Sequence, residues 1–116
     1  MVTTREVFER HQSHQLSGDL DAILSDYAPD AVAALPDGIG SGHDYIRQSY
    51  ERLLPLISDL TTSVQMQGDV VYVTFRTQGD GKDELLGTDT MVIRDGLIHV
   101  HTFYATAATP TVDDAS

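Results

Sequence analysis

The chain has 116 residues, 41% of them apolar, and no cysteine: enough apolar material for one hydrophobic core and too little for two, with no disulfide, thiolate metal site or cysteine nucleophile. Seven Lys and Arg stand against 18 Asp and Glu, a formal charge of −11, which repels phosphate backbones and anionic lipid headgroups and so disfavours nucleic acid and membrane partners. The N-terminus carries neither a basic segment nor an apolar run, and no stretch approaches the ~20 apolar residues that span a bilayer, so the expected setting is the cytoplasm.

In chain order, residues 4–16 place Val7, Phe8, His11 and Gln15 on one helical face, with Thr4 as N-cap and Gly18 just past the end. Asp19 restarts a short helix through Tyr27, where Leu20, Ile23, Leu24 and Tyr27 keep the i, i+3, i+4, i+7 spacing until Pro29 stops it. Residues 31–35 are a short apolar strand, and residues 36–42 read as a loop whose three glycines permit close approach to a ligand. A third helix is predicted over 44–54, ahead of Pro55. Four long strands follow, Thr61–Gln67, Val70–Thr77, Glu84–Arg94 and Leu97–Thr106, separated by the hairpin signals Gly68-Asp69, Gly79-Asp80-Gly81 and Asp95-Gly96. The class is α+β, with three helices packed on one face of a curved, mainly antiparallel sheet. One domain is expected over residues 1–106, and the small, polar stretch 107–116 is expected to fray.

The element order and the wording of the segment from Ser17 to Val32, SGDLDAILSDYAPDAV, resemble the SnoaL-like and ketosteroid isomerase-like branch of the nuclear transport factor 2-like superfamily. Gly42-His43-Asp44-Tyr45-Ile46-Arg47 resembles the start of its third helix, and Arg94-Asp95-Gly96-Leu97-Ile98 its final hairpin. The resemblance implies a cone-shaped fold over residues 4 to 106 and frequent homodimers through the outer sheet face. It leaves the activity open, because isomerases, dehydratases, epoxide hydrolases, cyclases and binding proteins share the scaffold.

Carried over residue by residue, the resemblance puts His11 where the isomerase has an oxyanion-binding tyrosine, and Asp89 where it has a protonated carboxylic acid. Tyr27 and Tyr50 fall on two supporting tyrosines, and Tyr104 on an aromatic that lines the pocket. The isomerase base falls on Leu35, just before Pro36, which cannot take a proton. Asp89 and Met91 share a strand face, so Met91 joins Leu35 as expected cavity lining. Asp37 and His43, flanking the glycine loop, are candidates for the missing base, although Asp-Gly and Ser-Gly also form turns without any function.

His11 and His14, three apart on a helix, and His99 and His101, two apart on a strand, have spacings open to metal ligation, but neither pair brings a third ligand, so no metal is expected. His99 and His101 are placed on the outer sheet face, with Ile98, Val100, Thr102 and Tyr104 turned inward. No phosphate loop, nucleophile elbow or dinucleotide fingerprint is present, and no cofactor is implied. The expected function is a cavity for a small, mostly apolar carbonyl or hydroxy compound. There His11 acts as acid or base and Asp89 as donor or base in isomerase, cyclase or dehydratase-type chemistry, and Tyr27, Tyr50 and Tyr104 orient the ligand. Concretely, the histidine removes a proton alpha to a carbonyl while a protonated Asp89 stabilises the enolate oxygen. The alternatives are a non-catalytic binding or accessory protein that has lost the base at Leu35, and a structural subunit that pairs through its sheet.

Overall fold

The computed structural model describes residues 2–54, 59–78 and 85–107. Helix α1 (Thr4–Ser17) starts with a capping box, the Thr3 hydroxyl accepting from Glu6 N–H while the Glu6 carboxylate accepts from Thr3 N–H. Gly18 ends it at φ 73°, a left-handed cap that only glycine adopts without strain. Helix α2 (Leu20–Leu24) is capped by Asp19 and stops three residues before the spacing argument places its end. Tyr27 instead opens strand β1 (Tyr27–Leu35), which runs through Pro29 where its pairing with β6 shifts register.

The residues read as a glycine loop form strand β2 (Gly38–Ser41), paired antiparallel with β1 from Val32↔Ser41 to Leu35↔Gly38. Gly40 is needed for packing rather than for a ligand: a Cβ there would lie 2.7 Å from the ring of Tyr45, on helix α3 (His43–Leu53). Strands β3 (Asp59–Gln67), β4 (Val70–Gln78), β5 (Leu85–Arg94) and β6 (Leu97–Ala107) complete a six-stranded curved sheet of order β2-β1-β6-β5-β4-β3, antiparallel except between β1 and β6. The turn signal Gly79-Asp80-Gly81, Pro55 and residues 108–116 of the expected tail lie outside the described residues, while Ala107 closes β6.

Helix α1 packs on β4 and β5, and α3 on β1 and β2. The buried faces meet in one core that includes Val7, Phe8, Ile23, Ile46, Val71 and Ile98. Strict alternation fails in one place that matters for function. Val92 pairs with Val100 but Ile93 pairs with Ile98, so one step along β5 spans two along β6 and His99 is an extra residue, a β-bulge. Ile98 points inward before the bulge, and after it His101, Phe103 and Ala105 take the inner side while Tyr104 is 55% exposed. The expected orientation of the last strand is therefore reversed from Val100 onward, with Val100, Thr102 and Tyr104 on the outer side.

Phe75 on β4 faces Gly87 on β5, and its ring stacks on Phe103 at a centroid distance of 5.6 Å. A Cβ at Gly87 would collide with the Phe75 ring and with the backbone carbonyl of Tyr104. Gly87→Ala is accordingly expected to lower stability by about 1–3 kcal/mol through overpacking. A urea midpoint equal to that of the wild type would contradict this packing.

Candidate functional site

Between α3 and the inner face of the sheet lies a cavity of about 160 Å³. A space of that order takes about one aromatic ring. Ala33, Leu35, Leu53, Phe75, Leu85 and Phe103 make most of its wall apolar, and Tyr27, Tyr50, Asp89 and His101 form a polar end, with Gln15 and Ser49 beside them.

The polar end is one connected chain. His101 Nε2 lies 2.9 Å from Asp89 Oδ1, and its Nδ1 is 2.6 Å from the Tyr27 hydroxyl. Tyr27 and Tyr50 hydroxyls are 2.8 Å apart, and Gln15 Nε2 donates to Tyr50 at 2.9 Å. Behind them, out of the cavity, His11 Nε2 sits 3.2 Å from the Tyr50 hydroxyl and its Nδ1 2.9 Å from Asp26 Oδ2. Asp26 is fully buried and also receives His14 Nδ1 at 2.7 Å and Arg10 Nε at 2.7 Å.

Local sequence explains the placement. Arg10, His11 and His14 lie within five residues of α1 and so gather on adjoining sides of the helix. The short α2 delivers Asp26 beneath them, where its backbone carbonyl also accepts from Ile98 N–H at 2.8 Å. His43 Nε2 donates to the Tyr27 carbonyl at 3.0 Å, pinning the start of β1.

Burial pulls the Asp26 carboxyl upward, but the N–H donors of His11, His14 and Arg10 outweigh it and hold the group below the usual carboxylate range. Burial lowers the His11 imidazole in spite of its bond to Asp26, which favours the neutral ring. Burial also raises both phenols and keeps them as neutral hydroxyls. Acid should weaken the fold in two stages. A neutral His11 stabilises the folded state above the ordinary histidine value of 6.5, and that contribution is lost as pH falls below it. An ionised Asp26 contributes above about the ordinary 3.8, lost as pH falls further through its lowered folded value. The urea midpoint is expected to decline from pH 7 to 5 and again below 4; a midpoint that rises over the first interval would contradict a neutral buried His11.

Of the residues singled out in the sequence, Tyr27, Leu35, Tyr50 and Asp89 line the cavity. His11 does not: it is fully buried behind the tyrosines and pairs with Asp26, while Asp89 in the cavity pairs with His101. Met91 lies in the main core with Val7 and Phe8 of α1 rather than in the cavity wall. Tyr104 stands on the outer face beside Leu86 and Thr106, and His101 is inside. Neither candidate replacement base reaches the cavity wall: Asp37 pairs with Arg52 at 2.8 Å on the surface, and His43 is engaged by Tyr27 backbone.

The sequence reading missed Asp26, Arg10, Phe75 and Phe103. The signal for Asp26 was present: three nitrogen-bearing side chains within five residues of a strongly acidic chain call for a buried acid. Among the described residues no three His, Cys, Asp or Glu side chains are grouped to hold a metal ion, and no helix is long and apolar enough to cross a membrane.

A model of the SnoaL-like domain matches residues 7–101. No curated protein sequence matches the chain. Among solved structures, the chain is similar to an NTF2-like protein of unknown function from Burkholderia xenovorans, at 18% identity and a TM-score of 0.78, over 94% of this chain and 87% of that one. It is also similar to a steroid delta-isomerase from Pseudomonas aeruginosa, at 19% identity and 0.78, over 90% and 80%. A third is an epoxide hydrolase/cyclase-like enzyme of pyran ring formation in the polyether salinomycin, at 14% and 0.74, over 89% and 90%. At these identities the likeness is one of fold.

Proposed function

The chain belongs to the SnoaL-like domain family, and from that premise we propose that its cavity binds a small, largely apolar carbonyl or hydroxy compound of about one ring and moves a proton on it, in isomerase, cyclase or dehydratase-type chemistry. The observation that carries this reading is a carboxylate, an imidazole and two phenols linked at one end of an otherwise apolar cavity. Polar groups converging in an apolar pocket are the usual mark of a small-molecule site. Isomerase and cyclase-like proteins among the structural neighbours support it at the level of scaffold.

Asp89 is the base in this reading, in place of the acid role carried over from the isomerase. An ionised carboxylate has lone pairs to spare after accepting one N–H from His101, and it lines the cavity where a substrate carbon would lie. It takes a proton from the carbon next to a carbonyl or leaving hydroxyl, while a tyrosyl hydroxyl donates to the oxygen on which charge develops. Burial keeps both phenols protonated for that purpose. His101 holds Asp89 in place and links it to Tyr27. His11 touches no part of the cavity and acts as a positioning residue through Tyr50.

Exchange of ketone α-protons in D2O, followed by proton NMR with cyclohexanone and related one-ring ketones, tests the proposal without knowledge of the natural substrate. Exchange above the buffer rate, saturating in ketone, supports it. Saturable binding without any exchange would instead favour the binding-protein reading, which Leu35 in the cavity wall recommends.

A further inference from the structure

The polar end of the cavity has few protons to share. An Asp26 carboxylate has none to give, so both imidazoles that touch its Oδ2 donate, His11 and His14 each through Nδ1. That fixes the His11 tautomer and leaves Nε2 a lone pair, 3.2 Å from the Tyr50 hydroxyl and 3.4 Å from that of Tyr27. In the same way an Asp89 carboxylate takes the Nε2 proton of His101 and leaves Nδ1 as an acceptor 2.6 Å from the Tyr27 hydroxyl. Two imidazole lone pairs thus face two phenolic protons. Tyr27 serves His101, and the Tyr50 proton, the remaining donor within reach of His11, is also claimed by the Tyr27 oxygen at 2.8 Å, so the acceptors outnumber the phenolic protons. Gln15 donates to Tyr50 and relieves none of this demand.

We infer that in this charge state the polar end of the cavity is a hydrogen-bond acceptor, so that its preferred ligand carries a hydroxyl group, and a carbonyl or oxyanion ligand binds well only with uptake of one proton at the His11–Tyr50 pair. The inference rests on the reading of the cavity as a ligand site and names its ligand class. A hydroxyl ligand donates to a tyrosyl oxygen or to Asp89 and disturbs nothing. A carbonyl must take the Tyr50 proton, which leaves the His11 Nε2 buried without a donor, and an orphaned buried polar atom is costly. A proton on Nε2 reverses the arrangement: the imidazolium donates to the Tyr50 oxygen, Tyr50 turns its proton to the ligand, and Asp26 on the other nitrogen balances the charge.

The groups that face this cluster are Arg10 and His14 from α1, Asp26 from the turn between α2 and β1, Tyr27 from the start of β1, His43 and Tyr50 from α3, Asp89 from β5 and His101 from β6. The proton has a route from solvent, since the side chains of His14 and Arg10 are 28% and 39% exposed and both touch Asp26.

The test is calorimetric binding of cyclohexanol and cyclohexanone from pH 8 to 5.5, each in two buffers of different ionisation heat. Cyclohexanol is expected to bind about tenfold more tightly at pH 8, the cost of one unpaired buried acceptor, with little pH dependence. Cyclohexanone is expected to tighten as pH falls and to take up close to one proton. In His11→Phe the competing lone pair is gone, and cyclohexanone should tighten several-fold at pH 8 and lose its pH dependence, which loss of structure alone would not produce; if that variant does not fold, the wild-type series decides. Cyclohexanone binding as tightly as the alcohol at pH 8 with no proton uptake overturns the inference and leaves the cavity reading intact. Binding of neither compound overturns both.

Discussion

Asp26→Asn is expected to lower the unfolding free energy by roughly 3–5 kcal/mol, the cost of removing one partner from a buried charge cluster. The carboxylate is fully buried and accepts three N–H groups. An asparagine keeps one acceptor oxygen and turns an NH2 group toward donors that need an acceptor. Arg10, whose side chain is 39% exposed, can turn to water, and His14 can do so in part, so the lower end of the range is the better expectation. His11 has no such escape. For a chain of this size each kcal/mol moves the thermal midpoint by about 4 °C, so a fall of roughly 12–20 °C should be read by circular dichroism. A fall of only two or three degrees would mean that the donors find other partners, and Asp26 would then not be the anchor of α1.

The second large effect concerns Asp89. Asp89→Asn should reduce ketone α-proton exchange by about 10²–10⁴-fold, the usual contribution of a positioned base, because an amide cannot take the proton. Cyclohexanol affinity should change only a few-fold, since the cavity wall and both tyrosines stay in place. The split between rate and affinity separates a base from a residue that merely shapes the pocket. Exchange in the variant at the wild-type rate would move the base elsewhere, with His101 next in line by position.

Much of the fold was legible because its patterns are local. Gly18, the apolar face of α1 and the turns at Gly68-Asp69 and Asp95-Gly96 mark the ends and faces of elements, and those elements stand within a few residues of their expected bounds. The site was legible in part for a related reason. Tyr50 on α3 and Asp89 on β5 keep the expected phase, and both line the cavity together with Tyr27 and Leu35, which stand on either side of the register shift in β1. Tyr104 and His101 follow the bulge at His99, a one-residue insertion that no periodicity announces and that turns every later side chain over. Had the bulge been placed, the sequence would have offered His101 and Phe103 instead of Tyr104. Tyr27 was assigned to the wrong element for another reason. The i, i+7 spacing from Leu20 continued through it, whereas the three donors waiting for Asp26 and the pairing with β6 favour leaving the helix early.

The glycine-rich segment shows how composition underdetermines role. Gly40 satisfies the same pattern as a ligand-approach loop, but the neighbour that demands the missing side chain is Tyr45 of the next helix. Asp26 was passed over because the second helix was read through Tyr27, which left Asp26 as one more acid inside a helix until the three nitrogens above it are placed. The result is a site in which the residue expected to act, His11, sits one layer behind the phenols that meet the ligand.

The measurement that bears most directly on this account is methyl NMR of the protein, selectively labelled at Ala and Leu, during titration with cyclohexanol. If the cavity is the ligand site, shifts concentrate at Ala33, Leu35, Leu53, Leu85 and Ala105, which line it, and the Asp89→Asn variant shows the same pattern. Shifts confined to Leu86 on the outer sheet face, or no saturable shifts at all, would contradict a ligand-binding cavity and with it the proton-transfer function built on its polar end.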